Sequence, residues 1–144
     1  MKVLILLTLA AITMITREIQ MEQLPILDQF INDLKSADVD QHLILGKYFT
    51  KDNLEFDKQE LQDRLRRESL KIIKENIEKD EVLIIKYTEA DQDAFYYMDV
   101  HGDQDNVYVL VASSQQFRCY MLIRDGKIAS VNPIKSGRRI IGWY

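Results

Sequence analysis

Residues 107–131 read VYVLVASSQQFRCYMLIRDGKIASV, and this stretch decides the class of the fold. Its β-branched and aromatic runs are separated by two polar breaks, which is the pattern of strands joined by tight turns. Asp125-Gly126 is the firmer break, because a two-residue hairpin turn needs positive φ at both positions and Asp-Gly tolerates it. Counting outward from that turn sets Ile123 opposite Ile128, Met121 opposite Ser130 and Cys119 opposite Asn132. A second two-residue turn at Ser114-Gln115 sets Phe117 opposite Ala112, Cys119 opposite Leu110 and Met121 opposite Tyr108. One face then carries Tyr108, Leu110, Phe117, Cys119, Met121, Ile123, Ile128 and Ile134. The other carries Val107, Val109, Val111, Tyr120, Leu122, Ala129 and Val131, with Arg118, Arg124 and Lys127 among them. A sheet wetted on one side alternates cleanly, and this one does not, so both faces need covering.

Outward from this hairpin pair, the same chemistry runs from Val82 to Tyr144, with strands expected at about 82–88, 94–100, 106–113, 116–124, 127–134 and 139–144. Short loops between consecutive strands imply an antiparallel meander. A four-residue loop from His101 to Gln104 would add Phe95, Tyr97 and Asp99 to the first face, with Tyr97 opposite Tyr108. Helices can cover one face of the sheet. The other is free to pair with a second copy of the chain, which predicts a homodimer.

The helices lie upstream. Leu24, Leu27, Phe30, Ile31 and Leu34 recur at helical spacing. Residues 36–49 are less regular and read as a short helix and a loop, with Asp38 as its cap and Gly46 as its break. A long helix follows to about Lys79, opened by an Asp57–Glu60 capping box and a Phe56–Leu61 hydrophobic staple. Its stripe is Leu61, Leu65, Ser69, Ile72, Ile73 and Ile77; Arg64, Arg66, Arg67, Lys71 and Lys74 read as its solvated face, interleaved with acidic neighbours. The expected architecture is α+β: two N-terminal helices, one of them long, packed on a curved antiparallel sheet of about five to six strands.

Composition agrees with one packed core: 47% of the 144 residues are hydrophobic and 29% charged, with two prolines and five glycines. The net charge of -4 excludes a general affinity for nucleic acid, which needs concentrated positive charge. Residues 1–16, MKVLILLTLAAITMIT, are one Lys and then an uncharged run too short to span a bilayer comfortably. They read as an export signal peptide, leaving residues 17–144 as a single secreted or periplasmic domain with no stable membrane span; an uncleaved anchor is the alternative. With Cys119 the sole cysteine, no disulfide forms within the chain.

Chemistry-bearing clusters are sparse. Glu89, Asp91 and Asp93, and Asp99, Asp103 and Asp105, fall in turns; the Asp103-x-Asp105 pair lacks the glycine and the closing glutamate of a calcium loop. His42 and His101 have no second ligand at metal spacing, so no metal or cofactor is expected. Cys119 shares its face with Phe117, Met121 and Ile123, a setting that raises a thiol pKa and suits a core cysteine. The polar residues of interest are those on the apolar face. Tyr97, Asp99, Tyr108, Cys119, Ser130 and Asn132 are the candidate lining of a ligand pocket, since buried polar groups are costly unless bonded.

Helices first, one of them long, then a curved antiparallel sheet ending in a long hairpin: over residues 24–144 this order resembles the NTF2-like superfamily, whose cone also houses ketosteroid-isomerase-like enzymes, with cystatin-like domains close in layout. The resemblance implies an exported, non-enzymatic binding domain for a small apolar ligand or a protein partner. It also implies two alternatives. One is an isomerase or dehydratase with Asp99 as general base and Tyr97 or Tyr108 as oxyanion donor. The other is a protein inhibitor or immunity-type factor acting through its outer surface.

Overall fold

The arrangement comes from a computed structural model, which describes residues 24–36, 38–90, 95–98, 102–112 and 117–144. The export segment and the alternative anchor, with Asp91, Asp93, Asp99 and His101, lie outside these residues. Among the described residues three helices come first: α1 (Leu24–Lys35), α2 (Gln41–Tyr48) and α3 (Phe56–Ile77). In α1, Leu27, Phe30, Ile31 and Leu34 are buried, as the helical spacing requires. Asp40, not Asp38, caps α2, its side chain accepting from His42 N at 2.9 Å. The helix continues through Gly46 to Tyr48. A glycine costs an interior helical position about 1 kcal/mol, and the burial of Tyr48 edge-on against Phe30, with centroids 5.5 Å apart, offsets it. Tyr48 Oη and Lys47 Nζ donate to Asp33 Oδ2 at 2.5 and 2.8 Å, tying α2 to α1 and holding the Asp33 carboxyl below its ordinary value.

Helix α3 buries Ile73 and Ile77 of the expected stripe but not its other members. Its buried residues are Arg66, Leu70, Ile73 and Ile77, while Leu61 and Ile72 are half exposed and Leu65 and Ser69 lie between. No capping box forms, because the N-cap is Glu55 and its side chain makes no cap bond. Nor does the staple form: Phe56 is 80% exposed.

Among the described residues seven strands follow: β1 (Val82–Lys86), β2 (Tyr97–Met98), β3 (Val107–Ala112), β4 (Arg118–Arg124), β5 (Lys127–Ser130), β6 (Pro133–Ser136) and β7 (Arg139–Trp143). They form two sheets and not one. The larger is antiparallel in the order β1-β3-β4-β5; the smaller, β2-β7-β6, pairs β2 parallel to β7. In the larger sheet Leu110 stands opposite Cys119 and Tyr108 opposite Met121, the register a two-residue turn gives. Asp125 and Gly126 both have positive φ, 51° and 71°, and Ile123 faces Ile128.

The meander fails at β2. Strand β1 pairs directly with β3, Lys86 opposite Tyr108, so Tyr97 is not beside Tyr108 but beside Arg139 in the smaller sheet. Two tyrosine hydroxyls explain the detour. Tyr87 Oη donates to Tyr96 O at 2.9 Å and accepts from Met98 N at 3.0 Å, and Tyr120 Oη accepts from Tyr96 N at 2.9 Å. Side chains from β4 and from the short 3-10 turn that follows β1 thus satisfy the 96–98 backbone, which does not join the ladder of the larger sheet.

The larger sheet separates two apolar layers. Its inner face, with Tyr108, Leu110, Ala112, Cys119, Met121, Ile123 and Ile128, packs on the helices. The opposite face, with Val107, Val109, Tyr120 and Leu122, packs on Tyr87, Phe95, Met98 and Ile140. The face reserved for a second copy is therefore covered from within the chain. Among the described residues no helix is long and apolar enough to cross a membrane.

Candidate functional site

The β4–β5 ladder stops early. A bulge between Leu122 and Ile123 places Ser130 opposite Leu122 and not Met121. The extra residue turns β5 away, as bulges do, and from Pro133 the chain belongs to the smaller sheet. Asn132 consequently does not pair with Cys119. Where β5 would have run on beside the first half of β4, a groove of about 670 Å³ opens between the sheet and α3. Helix α3 supplies Leu65, Ser69, Ile72 and Ile73; Phe117, Arg118, Cys119 and Tyr120 form the floor; Val131, Asn132, Pro133, Lys135 and Tyr144 close the far side.

Its walls are mostly apolar. Ser69 Oγ donates to Asn132 Oδ1 at 2.6 Å and lies 2.9 Å from Leu65 O, so the hydroxyl and the amide oxygen are paired across the groove. The Asn132 backbone holds the corner: its N–H donates to Ser130 Oγ at 3.0 Å and its carbonyl accepts from Tyr144 N at 3.0 Å. Ser130 Oγ in turn donates to Tyr144 O at 2.6 Å.

At the rim sit two cations mounted on rings. The Arg118 guanidinium lies 4.8 Å from the centre of the Phe95 ring, and Lys135 Nζ lies 4.6 Å from that of Tyr96 and 6.0 Å from that of Tyr120. Tyr120 meets Phe95 and Tyr96 edge-on, with interplanar angles of 88° and 79°. Each cation is held over an aromatic face and stays at the groove mouth.

Of the residues singled out from sequence, Cys119 and Asn132 line this groove. Ser130 is 3% exposed, with its hydroxyl engaged by Tyr144 and Asn132, and it borders a separate hollow beside Trp143. Tyr108 is buried in the helix-side layer, where burial, and secondarily the charge of Glu89, raises its phenol pKa. Tyr97 is 46% exposed in the smaller sheet. The two tyrosines thus sit in different layers and do not converge. Asp103 is ion-paired with Arg124 at 3.1 Å, and among the described residues no three His, Cys, Asp or Glu side chains group closely enough for a metal ion.

Burial pushes the Cys119 thiol up to about 12, so at neutral pH it is protonated. A thiol-specific chromogenic reagent will therefore modify the native protein at least tenfold more slowly than the urea-unfolded chain, in which the thiol returns to its ordinary pKa of about 8.5. Equal rates in the two states would show that Cys119 is neither buried nor shifted.

The sequence reading missed Leu65, Ser69 and Ile72 as groove residues, because their stripe is apolar enough to pass for core. It placed Arg66 on the solvated face of α3, whereas Arg66 is 5% exposed. No family model, no curated protein and no solved structure matches this chain.

Proposed function

We propose that this chain is a small exported binding domain of NTF2-like kind that holds an apolar ligand in the groove between α3 and β4 without transforming it. The observation that carries the reading is the groove itself: about 670 Å³, within the range of small-molecule sites, and walled by Leu65, Ile72, Ile73, Phe117, Val131 and Pro133 around one hydrogen-bonded polar pair. Binding is favoured over turnover by the chemistry of the lining. Its thiol is protonated, and its Ser69 hydroxyl is bonded to the Asn132 amide oxygen with no base beside it among the described lining residues. The tyrosines of the isomerase-like alternative stand in separate layers. The helix-first order supports the superfamily resemblance, and the apolar run from Val3 to Thr16 supports export.

Titration of the full chain with an uncharged naphthylamine dye that fluoresces in apolar surroundings tests the reading. Saturable binding at about one dye per chain is expected, with loss of at least tenfold in affinity in Ser69→Phe, whose ring fills the groove. The dye's failure to saturate, or its indifference to Ser69→Phe in a variant with native circular dichroism, would end the reading.

A further inference from the structure

The groove mouth carries two positive charges in a chain whose net charge is -4, and none of the described residues lining the groove is acidic. Both cations, moreover, are positioned. Arg118 stacks on Phe95, and Lys135 sits over Tyr96 with Tyr120 behind it. A flexible side chain held on a ring has already lost much of its rotamer freedom, so gripping a ligand costs it less. The guanidinium has five N–H donors in a planar fork, enough to keep its existing contacts and take a further acceptor.

Inside the mouth the lining changes to Leu65, Ile72, Ile73, Phe117, Val131 and Pro133. A site that is cationic at one end and apolar along its length complements a molecule that is anionic at one end and apolar along its length. Resting on the binding function proposed above, we infer that the ligand is a free, single-chain carboxylate amphiphile of fatty-acid type, its head held between Arg118 and Lys135 and its chain laid along Leu65, Ile72 and Val131. The carboxylate matches the planar fork, and one chain suits a groove of this volume better than the two chains of a membrane lipid.

The test uses the full chain at pH 8 and measures displacement of the uncharged dye by two amphiphiles of equal tail, dodecanoate and dodecanol, in the wild type and in the Arg118→Gln/Lys135→Gln variant. Dodecanoate should bind the wild type about tenfold or more tightly than dodecanol, as expected for charge-assisted contacts at a partly solvated rim. In the double variant that preference should vanish while dodecanol affinity holds. Equal affinity for acid and alcohol, or a preference that survives the double substitution, overturns the inference and leaves the groove reading intact. If neither amphiphile displaces the dye and the dye itself ignores Ser69→Phe, the groove reading falls with it. Binding to anionic phosphatidylglycerol vesicles without binding of free dodecanoate overturns the inference in favour of a membrane surface.

Discussion

Phe30→Ala will lower the unfolding free energy by about 3–5 kcal/mol, the range for truncating a buried aromatic. Phe30 is fully buried, and it meets Tyr48 and Phe49 edge-on, with centroids 5.5 and 6.1 Å away. Those two residues end α2 and begin the segment that leads to α3, and Phe49 bridges in parallel to Ile128 of β5. One ring therefore supports α1, the end of α2 and the edge of the larger sheet together. Neighbours attached to three separate elements cannot collapse into the vacated volume without moving all three, which puts the cost in the upper part of the range for such sites. Urea unfolding followed by circular dichroism checks this: the midpoint should fall while the slope stays unchanged. Leu43→Ala is the control, since Leu43 is 71% exposed and should shift stability by less than about 0.5 kcal/mol. A loss below about 1 kcal/mol in Phe30→Ala would mean that the helices do not share one core.

The inner face of the sheet was legible from the residues because two local rules agreed there. Asp125-Gly126 demands positive φ, and strand alternation then assigns Tyr108, Leu110, Cys119, Met121, Ile123 and Ile128 to one side. The same rules could not see the bulge at Leu122, which no turn residue announces and which decides that Asn132 leaves the ladder. Nor could they place β2, which falls inside the strand expected at 94–100 but pairs with β7 and not β3. Its two residues form no alternating run of their own, and their position is set by the hydroxyls of Tyr87 and Tyr120, which are distant in sequence and count as strand formers in any propensity reading. The dimer expected on the outer face followed from treating that face as uncovered. Phe95, Met98 and Ile140 cover it.

Helix α3 misled in a more general way. It has two apolar stripes, Leu61–Leu65–Ser69–Ile72 and Leu70–Ile73–Ile77, about one residue apart in phase. Periodicity joins the first to Ile73 and Ile77, which are buried, and passes over Leu70 because an arginine at position 66 reads as solvated; that reading buries Leu65, Ser69 and Ile72 and leaves Leu70 out of the core. The groove is missed for the same reason: Leu65, Ser69 and Ile72, which line it, read as core.

Arg66 itself supplies the test of that phase, and Arg66→Ala should cost about 2–4 kcal/mol. Its Nη1 donates to Thr50 O at 2.9 Å and its Nη2 to Ala129 O at 3.0 Å; the guanidinium lies 5.2 Å from the centre of the Phe49 ring. Burial pulls its pKa down, opposed by the charge of Asp52, yet a guanidinium remains protonated in any folded protein. The Asp52 contact is long, 3.4 Å, and its carboxylate is 43% exposed, so the ion pair contributes little. The main contribution is instead the pair of carbonyls that anchor α3 to the α2–α3 segment and to β5 from one planar fork. This orders the variants. Ala loses both bonds and the packing of the stem, Met keeps the stem but leaves both carbonyls without the guanidinium, and Lys keeps a charge that can reach only one of them. Losses measured by urea unfolding should fall in the order Ala, Met, Lys, with Asp52→Ala below about 1 kcal/mol. A Met variant as stable as the wild type would mean that the carbonyls find water when the arginine is gone, and that Arg66 fills space in the core without holding its layers together.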